Sequence, residues 1–263
     1  MKFSFLHRTD SEIISILLFV CMMLFVWIGT KTGRRRKKLF DAESKTETAS
    51  MGYLSSLLFF LLAFTFGMAG NRYDGRIKVV VQEANAIGTA LLRCDLYEPE
   101  VRQLLRKDFK DYIEARIAFY EAGADIDKIL GAQKLSGETS QKIWARVTSL
   151  SGDSSILHLN ATRLMVPVLN EMIDLTTSRF SLEKAKVPES IIWMLFIMAL
   201  VTAFYSGYNV AMKGRIDWLI EFGFCLLISL AVFFTLDLDR PRRGLITNDA
   251  PNQLIINLRD NFK

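Results

Sequence analysis

VQEANAIGTALLR, residues 81–93, places one carboxylate, Glu83, among small and amide-bearing side chains: Ala84, Asn85, Gly88 and Thr89, with Arg93 closing the stretch. Near the other end of the chain, LDLDRPRRGLI, residues 236–246, gathers Asp237, Asp239, Arg240, Arg242 and Arg243. Carboxylates and guanidiniums so close together form ion pairs, hold an ion or line a polar path. Neither stretch supplies a nucleophile beside a base. The chain has only two histidines, His7 and His158, and three cysteines, Cys21, Cys94 and Cys225, with no CxxC pair. No metal-ligand spacing, phosphate-binding glycine loop, HExxH or GxSxG is present. The expectation is a protein that is not an enzyme, with no cofactor and no metal site.

On a helical wheel, Ile87, Leu91, Ala84, Gly88, Val81 and Leu92 fall on one face. Ala84 and Gly88 lie at its centre, with Asn85 at one edge and Glu83 near the other. Small residues four apart admit a neighbouring backbone. Two readings stay open. One is close helix packing with Asn85 bonded to a neighbour. The other is a polar edge lining a cavity or pore. For the second stretch, Pro241 stops a helix, and Arg242 and Arg243 reach phosphate headgroups. Asp237 or Asp239 alternatively pairs with Arg76, Arg93 or another cation, or belongs to an ion-binding ring in an oligomer.

The elements that position these residues are unusually apolar. The chain is 263 residues long, 51 % hydrophobic, with nineteen Phe. Four blocks carry the excess: Ile13 to Gly29, Tyr53 to Gly70, Ile191 to Val210 and Trp218 to Leu236. Each approaches the ~20 residues that cross a ~30 Å hydrocarbon core. The fold class is therefore expected to be all-α: an integral membrane protein with four transmembrane helices, two at each end. The first block is read as an uncleaved anchor, because RRRKK, residues 34–38, follows it and no small-x-small cleavage site does.

The net charge of +5 does not point to nucleic acid. Lys31, Arg34, Arg35, Arg36, Lys37, Lys38 and Lys45 crowd the short first loop, whereas residues 71–187 hold seventeen Lys or Arg against sixteen Asp or Glu. Basic residues beside a span set orientation and meet anionic headgroups. Short loops follow the positive-inside rule best, so this loop is expected in the cytoplasm and the helical insert on the non-cytoplasmic side. Arg72, Arg76, Lys78, Lys184 and Lys186 pull the other way.

The chain divides on this reading into a transmembrane hairpin (1–70), a helical extramembrane insert (71–187), a second hairpin (188–240) and a tail (241–263). No Pro interrupts Met51 to Arg93, which predicts one helix running out of the second span. Pro99 opens a helix that Gly123 ends. Gly131 and Ser136-Gly137 mark turns, and Ile143 to Leu150 a short helix. A long helix runs from about Ser155 to Ser181, kinked at Pro167, and is expected to continue into the third span. Glu12 and Glu221 fall near block ends, where snorkelling to water is cheap.

EANAIGTALLR, the Leu-rich helix opened by EPE, Pro188 before the third span and the terminal DRPRRG together resemble the bestrophin-like domain family of integral membrane proteins. The resemblance covers nearly the whole chain in order. It implies kinship to bestrophins, which are pentameric ion channels with long helices extending the pore and a large cytoplasmic domain. The acidic calcium-binding cluster of those channels is not reproduced: Asp237 and Asp239 offer two carboxylates beside Arg240. The function expected is an oligomeric ion channel in the lipid bilayer, with homo-oligomer and inorganic ions as partners. The alternative is a non-conducting scaffold or sensor whose helical segment, residues 99–180, binds another protein.

Overall fold

The computed structural model describes residues 9–40, 47–150, 155–214, 217–247 and 249–262. Lys2, Arg8 and Lys45 lie outside them. Eight α-helices are described: α1 (Ser11–Phe40), α2 (Glu47–Arg93), α3 (Pro99–Glu121), α4 (Ile126–Ser149), α5 (Ile156–Lys184), α6 (Glu189–Lys213), α7 (Trp218–Leu238) and α8 (Asp249–Asn257). No strand occurs among the described residues. Among the described residues four helices are long and apolar enough to cross a membrane, so the all-α, four-span architecture is what the structure shows.

Helix boundaries follow local chemistry. The Asp125 side chain accepts from the Asp127 and Lys128 amides at 3.1 and 3.2 Å, starting α4. Asp217 does the same for α7, accepting from Leu219 N at 3.0 Å. Such caps satisfy amides that a helix start leaves without partners. Pro99 occupies the first turn of α3, where no N–H is needed. Past its end, Gly123 takes φ +55°.

Four sequence expectations need correction. Gly131, Ser136 and Gly137 do not turn the chain, and Ile143 to Leu150 is no separate helix: one 24-residue helix, α4, covers almost all of it. Ala132, Ile143 and Val147 supply a buried stripe along it. That packing outweighs the ~1 kcal/mol each glycine costs. The basic run Arg34 to Lys38 is not loop but the last turns of α1. Lys and Arg are good helix formers, and cations suit a helix C-terminus. The helix before Pro188 does not pass into the third span. It ends at Lys184, and Ala185 is extended (φ −69°, ψ 125°). The ring of Pro188 disfavours helical geometry at the residue before it. Finally, Leu92 is 71 % exposed, off the buried face that the wheel assigns it.

The described chain forms two compact units. One comprises Met1–Tyr73, Lys186–Arg240 and Gly244–Ile246; the other comprises Asp74–Ala185, Pro241–Arg243 and Thr247–Lys263. The first holds the apolar helices around Met22, Val26, Leu58, Ala199, Ala203, Cys225 and Val232. Its tightest seam lies between α1 and α6. A Cβ on Gly29 would meet the Phe204 carbonyl, one on Gly207 the Val26 carbonyl, and one on Gly33 the Tyr208 carbonyl oxygen at 2.6 Å. Small residues permit this approach, and dispersion between the two backbones then holds the pair. The second unit packs α3, α4 and α5 around Leu105, Phe109, Tyr112, Ile113, Ile143, Val147, Met165 and Met172.

Candidate functional site

Glu83 is fully buried, at 0 % exposure. Two cations from different helices meet it: Arg116 of α3 through Nε, and Arg179 of α5 through Nη1 at 2.9 Å. Arg179 also donates to Asn252 of α8 at 2.6 Å and lies 3.5 Å from Glu183. Arg242 donates to Glu183 at 2.8 Å and to the Phe119 carbonyl at 2.9 Å. The three guanidiniums gather on the Phe119 ring, with Arg116, Arg179 and Arg242 at 4.7, 5.4 and 4.5 Å from its centroid. One aromatic ring thus shares the quadrupole attraction of three cations. A cleft of about 350 Å³ opens beside the network, with Tyr120, Glu121, Thr247 and Asn252 in its wall.

Burial works against the charge on Arg116, but the Glu83 carboxylate outweighs it, and the guanidinium is held above its ordinary value. Glu83, Glu183, Arg116, Arg179 and Arg242 together carry two negative and three positive charges. A buried set of this kind is stable only while every member keeps its partners. Tyr112 is also fully buried, with its hydroxyl 2.9 Å from Thr176; burial pushes its pKa up to about 12.

The other residues of the 81–93 stretch take different places. Ala84 lies in the core at 6 % exposure. Asn85 is exposed, and Thr89 is partly buried. Gly88 is not a close-approach point, since a Cβ there would make ordinary contact with Leu258 at 3.7 Å. Arg93 donates to the Leu164 carbonyl, one residue beyond the carbonyl that Pro167 leaves without its helical N–H.

The second stretch is bound up with backbone. Asp237 accepts from the Leu245 and Ile246 amides at 3.0 and 2.9 Å and from the Ser11 hydroxyl at 3.2 Å. Gly244 has φ +108°, and a Cβ there would collide with the Asp237 carboxylate. Only glycine fits that turn. Asp239 accepts from Val187 N at 2.9 Å and pairs with Arg72 at 3.4 Å. Arg240 donates to the Thr9 carbonyl at 2.7 Å. Arg242 has protein partners, as above, whereas Arg243 is exposed. No group of three or more metal-ligating side chains occurs among the described residues.

Glu221 does not snorkel. It is 4 % exposed, and Ser206 Oγ of α6 lies 2.8 and 2.9 Å from its two oxygens. Glu12 is exposed.

Sequence reasoning missed Arg116, Arg179, Glu183, Asn252 and Phe119. A signal existed for the two arginines. Arg116 continues the apolar stripe of Phe109, Tyr112 and Ile113, and Arg179 continues that of Val168, Met172 and Leu175. A cation on a buried stripe demands an acid, and Glu83 was the acid at hand.

No curated protein sequence matches the chain. Solved structures do match its fold. A point variant of a bacterial bestrophin homolog from Klebsiella pneumoniae superposes with a TM-score of 0.74 at 12 % identity, covering 96 % of this chain and 97 % of that one. A second variant of that homolog gives 0.69 at 14 % identity, covering 94 and 98 %. The sequence model of the bestrophin-like domain matches residues 16–247, and the chain, a multi-pass membrane protein, belongs to the Bestrophin-like family.

Proposed function

We propose that the chain assembles with copies of itself around α2 and conducts small inorganic ions. The observation that carries this is the bare face of α2. Only 22 % of its apolar window is inside the chain's own fold, against 39, 33 and 39 % for the other three apolar helices. Tyr53, Leu57, Phe60 and Phe64, at three- and four-residue steps, are exposed at 76, 53, 70 and 54 %. The opposite side, with Leu58, Leu61, Leu62 and Thr65, is buried. Further along α2 the exposed residues turn polar: Asn71, Asp74, Lys78, Gln82 and Asn85, again at steps of three and four. An apolar constriction followed by a hydrated lining is the arrangement a gated ion path requires. Kinship with bestrophins supports the reading. On it, Asn85 belongs to the lining, and the Glu83 network is the clamp that holds the helix behind it.

The test has two parts. Detergent-solubilised particles should contain a protein mass of at least two copies of the 30.0 kDa chain, and purified protein in planar bilayers should pass current. Shortening Phe60 and Phe64 to Ala should change that current. A folded monomer sinks the proposal. A ring that stays silent under varied ions and voltages leaves assembly and removes conduction.

The second reading, a scaffold or sensor, has its own observation. Ile126, Leu130 and Leu135 stand 52, 49 and 47 % exposed on α4, which is not among the helices long and apolar enough to cross a membrane. A partner captured only while these three remain apolar favours it.

A further inference from the structure

The last turns of α1 present two opposite faces. Gly29, Gly33 and Arg36 share one. Gly29 and Gly33 lie against the α6 backbone, and Arg36 donates to the Tyr208 hydroxyl at 2.8 Å. Trp27, Lys31, Arg34, Arg35 and Lys38 share the other, about 180° away at 100° per residue. The first face is pinned, so the second is held in a fixed orientation. It borders a cleft of about 290 Å³ whose far wall includes Trp218, the first residue of α7.

The cleft is not plain solvated surface. Trp27 and Trp218 are both about half exposed, at 49 and 44 %; Trp27 lies where the apolar run of α1 gives way to its basic turns and Trp218 at the start of α7, places where indole rings settle at the headgroup level. The Lys31 ammonium sits 5.0 Å from the centre of the Trp27 ring. No carboxylate pairs with Lys31, Arg34, Arg35 or Lys38 among the described residues. Five arginines of the other unit differ: Arg116, Arg146, Arg179, Arg242 and Arg259 each meet an acid. Four cations converging on one opening beside an apolar helix end call for a compact anion with several acceptor oxygens. Phosphate meets arginine through paired N–H donors and lysine as a point charge.

We propose that this cleft binds the phosphate of an anionic phospholipid, its headgroup lying between Trp27 and Trp218 and its acyl chains along the exposed apolar side of α1. Leu17, Val20 and Leu24 supply that side, at 55, 55 and 50 % exposure. The site does not depend on whether the chain conducts.

The full chain, purified and delipidated in neutral detergent, is titrated with dihexanoyl-phosphatidylglycerol and, separately, dihexanoyl-phosphatidylcholine, with bound lipid counted by native mass spectrometry. The glycerol lipid should bind about tenfold more tightly than the choline lipid. K31Q/R34Q/R35Q/K38Q should abolish that preference, and K107Q/K110Q/K128Q/K134Q, with the same change in charge, should keep it. W27A leaves every charge in place and serves if the fourfold variant does not fold: it should lower the preference at least threefold. Inorganic phosphate should compete. Equal affinity for the two lipids in the wild-type chain overturns the proposal, as does loss of the preference in the control variant. Inorganic phosphate bound tightly with no lipid preference assigns the cleft to a free anion and rejects the lipid.

Discussion

At the residue scale, Glu83 decides more than its neighbours do. Replacing it by Gln leaves Arg116 buried without its acid and Arg179 with Glu183 alone. An uncompensated buried charge costs roughly 3–5 kcal/mol, so Glu83→Gln should lower the melting midpoint in detergent strongly. The combined replacement Glu83→Leu, Arg116→Met and Arg179→Met leaves no charge stranded at this point and should recover much of the loss. An unchanged midpoint in the single variant would show that the network is not what holds α2 to α3 and α5. A second carboxylate sets a pH dependence. Asp108 is 2 % exposed and takes Lys142 at 2.8 Å and Arg146 at 2.6 Å. Burial alone would raise its pKa, but bonds from Arg146 and Lys142 outweigh it, and the value is lowered. A lowered folded value stabilises above the unfolded pKa near ~3.9 and is lost as pH falls through the folded one. The wild-type chain should therefore lose midpoint temperature below about pH 4, and Asp108→Asn should flatten part of that fall. Equal acid sensitivity in both would assign the loss to other carboxylates.

At the scale of elements, the α1–α6 seam is set by three glycines. Gly207→Ala puts a methyl on the Val26 carbonyl, and overpacking of this kind costs on the order of 1–3 kcal/mol. Thermal unfolding in detergent should show it, whereas Gly67→Ala, where a Cβ meets nothing, should be neutral. Equal behaviour of the two variants counts against the seam. The spans themselves were legible, because run length and hydropathy report the bilayer directly. The seam was not. Gly29 and Gly33 do stand at GxxxG spacing, a mark of close helix approach, but Gly207 looks no different in sequence from Gly67, and nothing local says which distant helix fills the groove. The AxxxG spacing of Ala84 and Gly88 pointed to close approach where packing is ordinary. Likewise Gly131 and Gly137 read as turns because propensity is local, whereas the buried stripe of α4 is a property of the whole helix. Glu83 stood out by residue type, but its partners come from α3 and α5, and only tertiary structure unites them.

At the scale of the whole molecule, a multi-pass membrane protein leaves the apolar window of one helix, α2, largely uncovered by its own chain. If copies cover that face, stability in detergent depends on protein concentration, since dissociation bares Phe60 and Phe64 again. The fold class, the four spans and the family were readable end to end, because each rests on patterns longer than a single contact. The α1–α6 seam has a consequence for how the molecule is made. Thr30 and Gly207, hydrogen-bonded across it, are 177 positions apart. At ribosomal speeds of about 5–20 residues per second, α1 enters the bilayer roughly 10–35 s before its partner exists. During that interval its glycine groove is open to lipid or to any passing helix, and whatever escorts nascent membrane chains must keep it vacant.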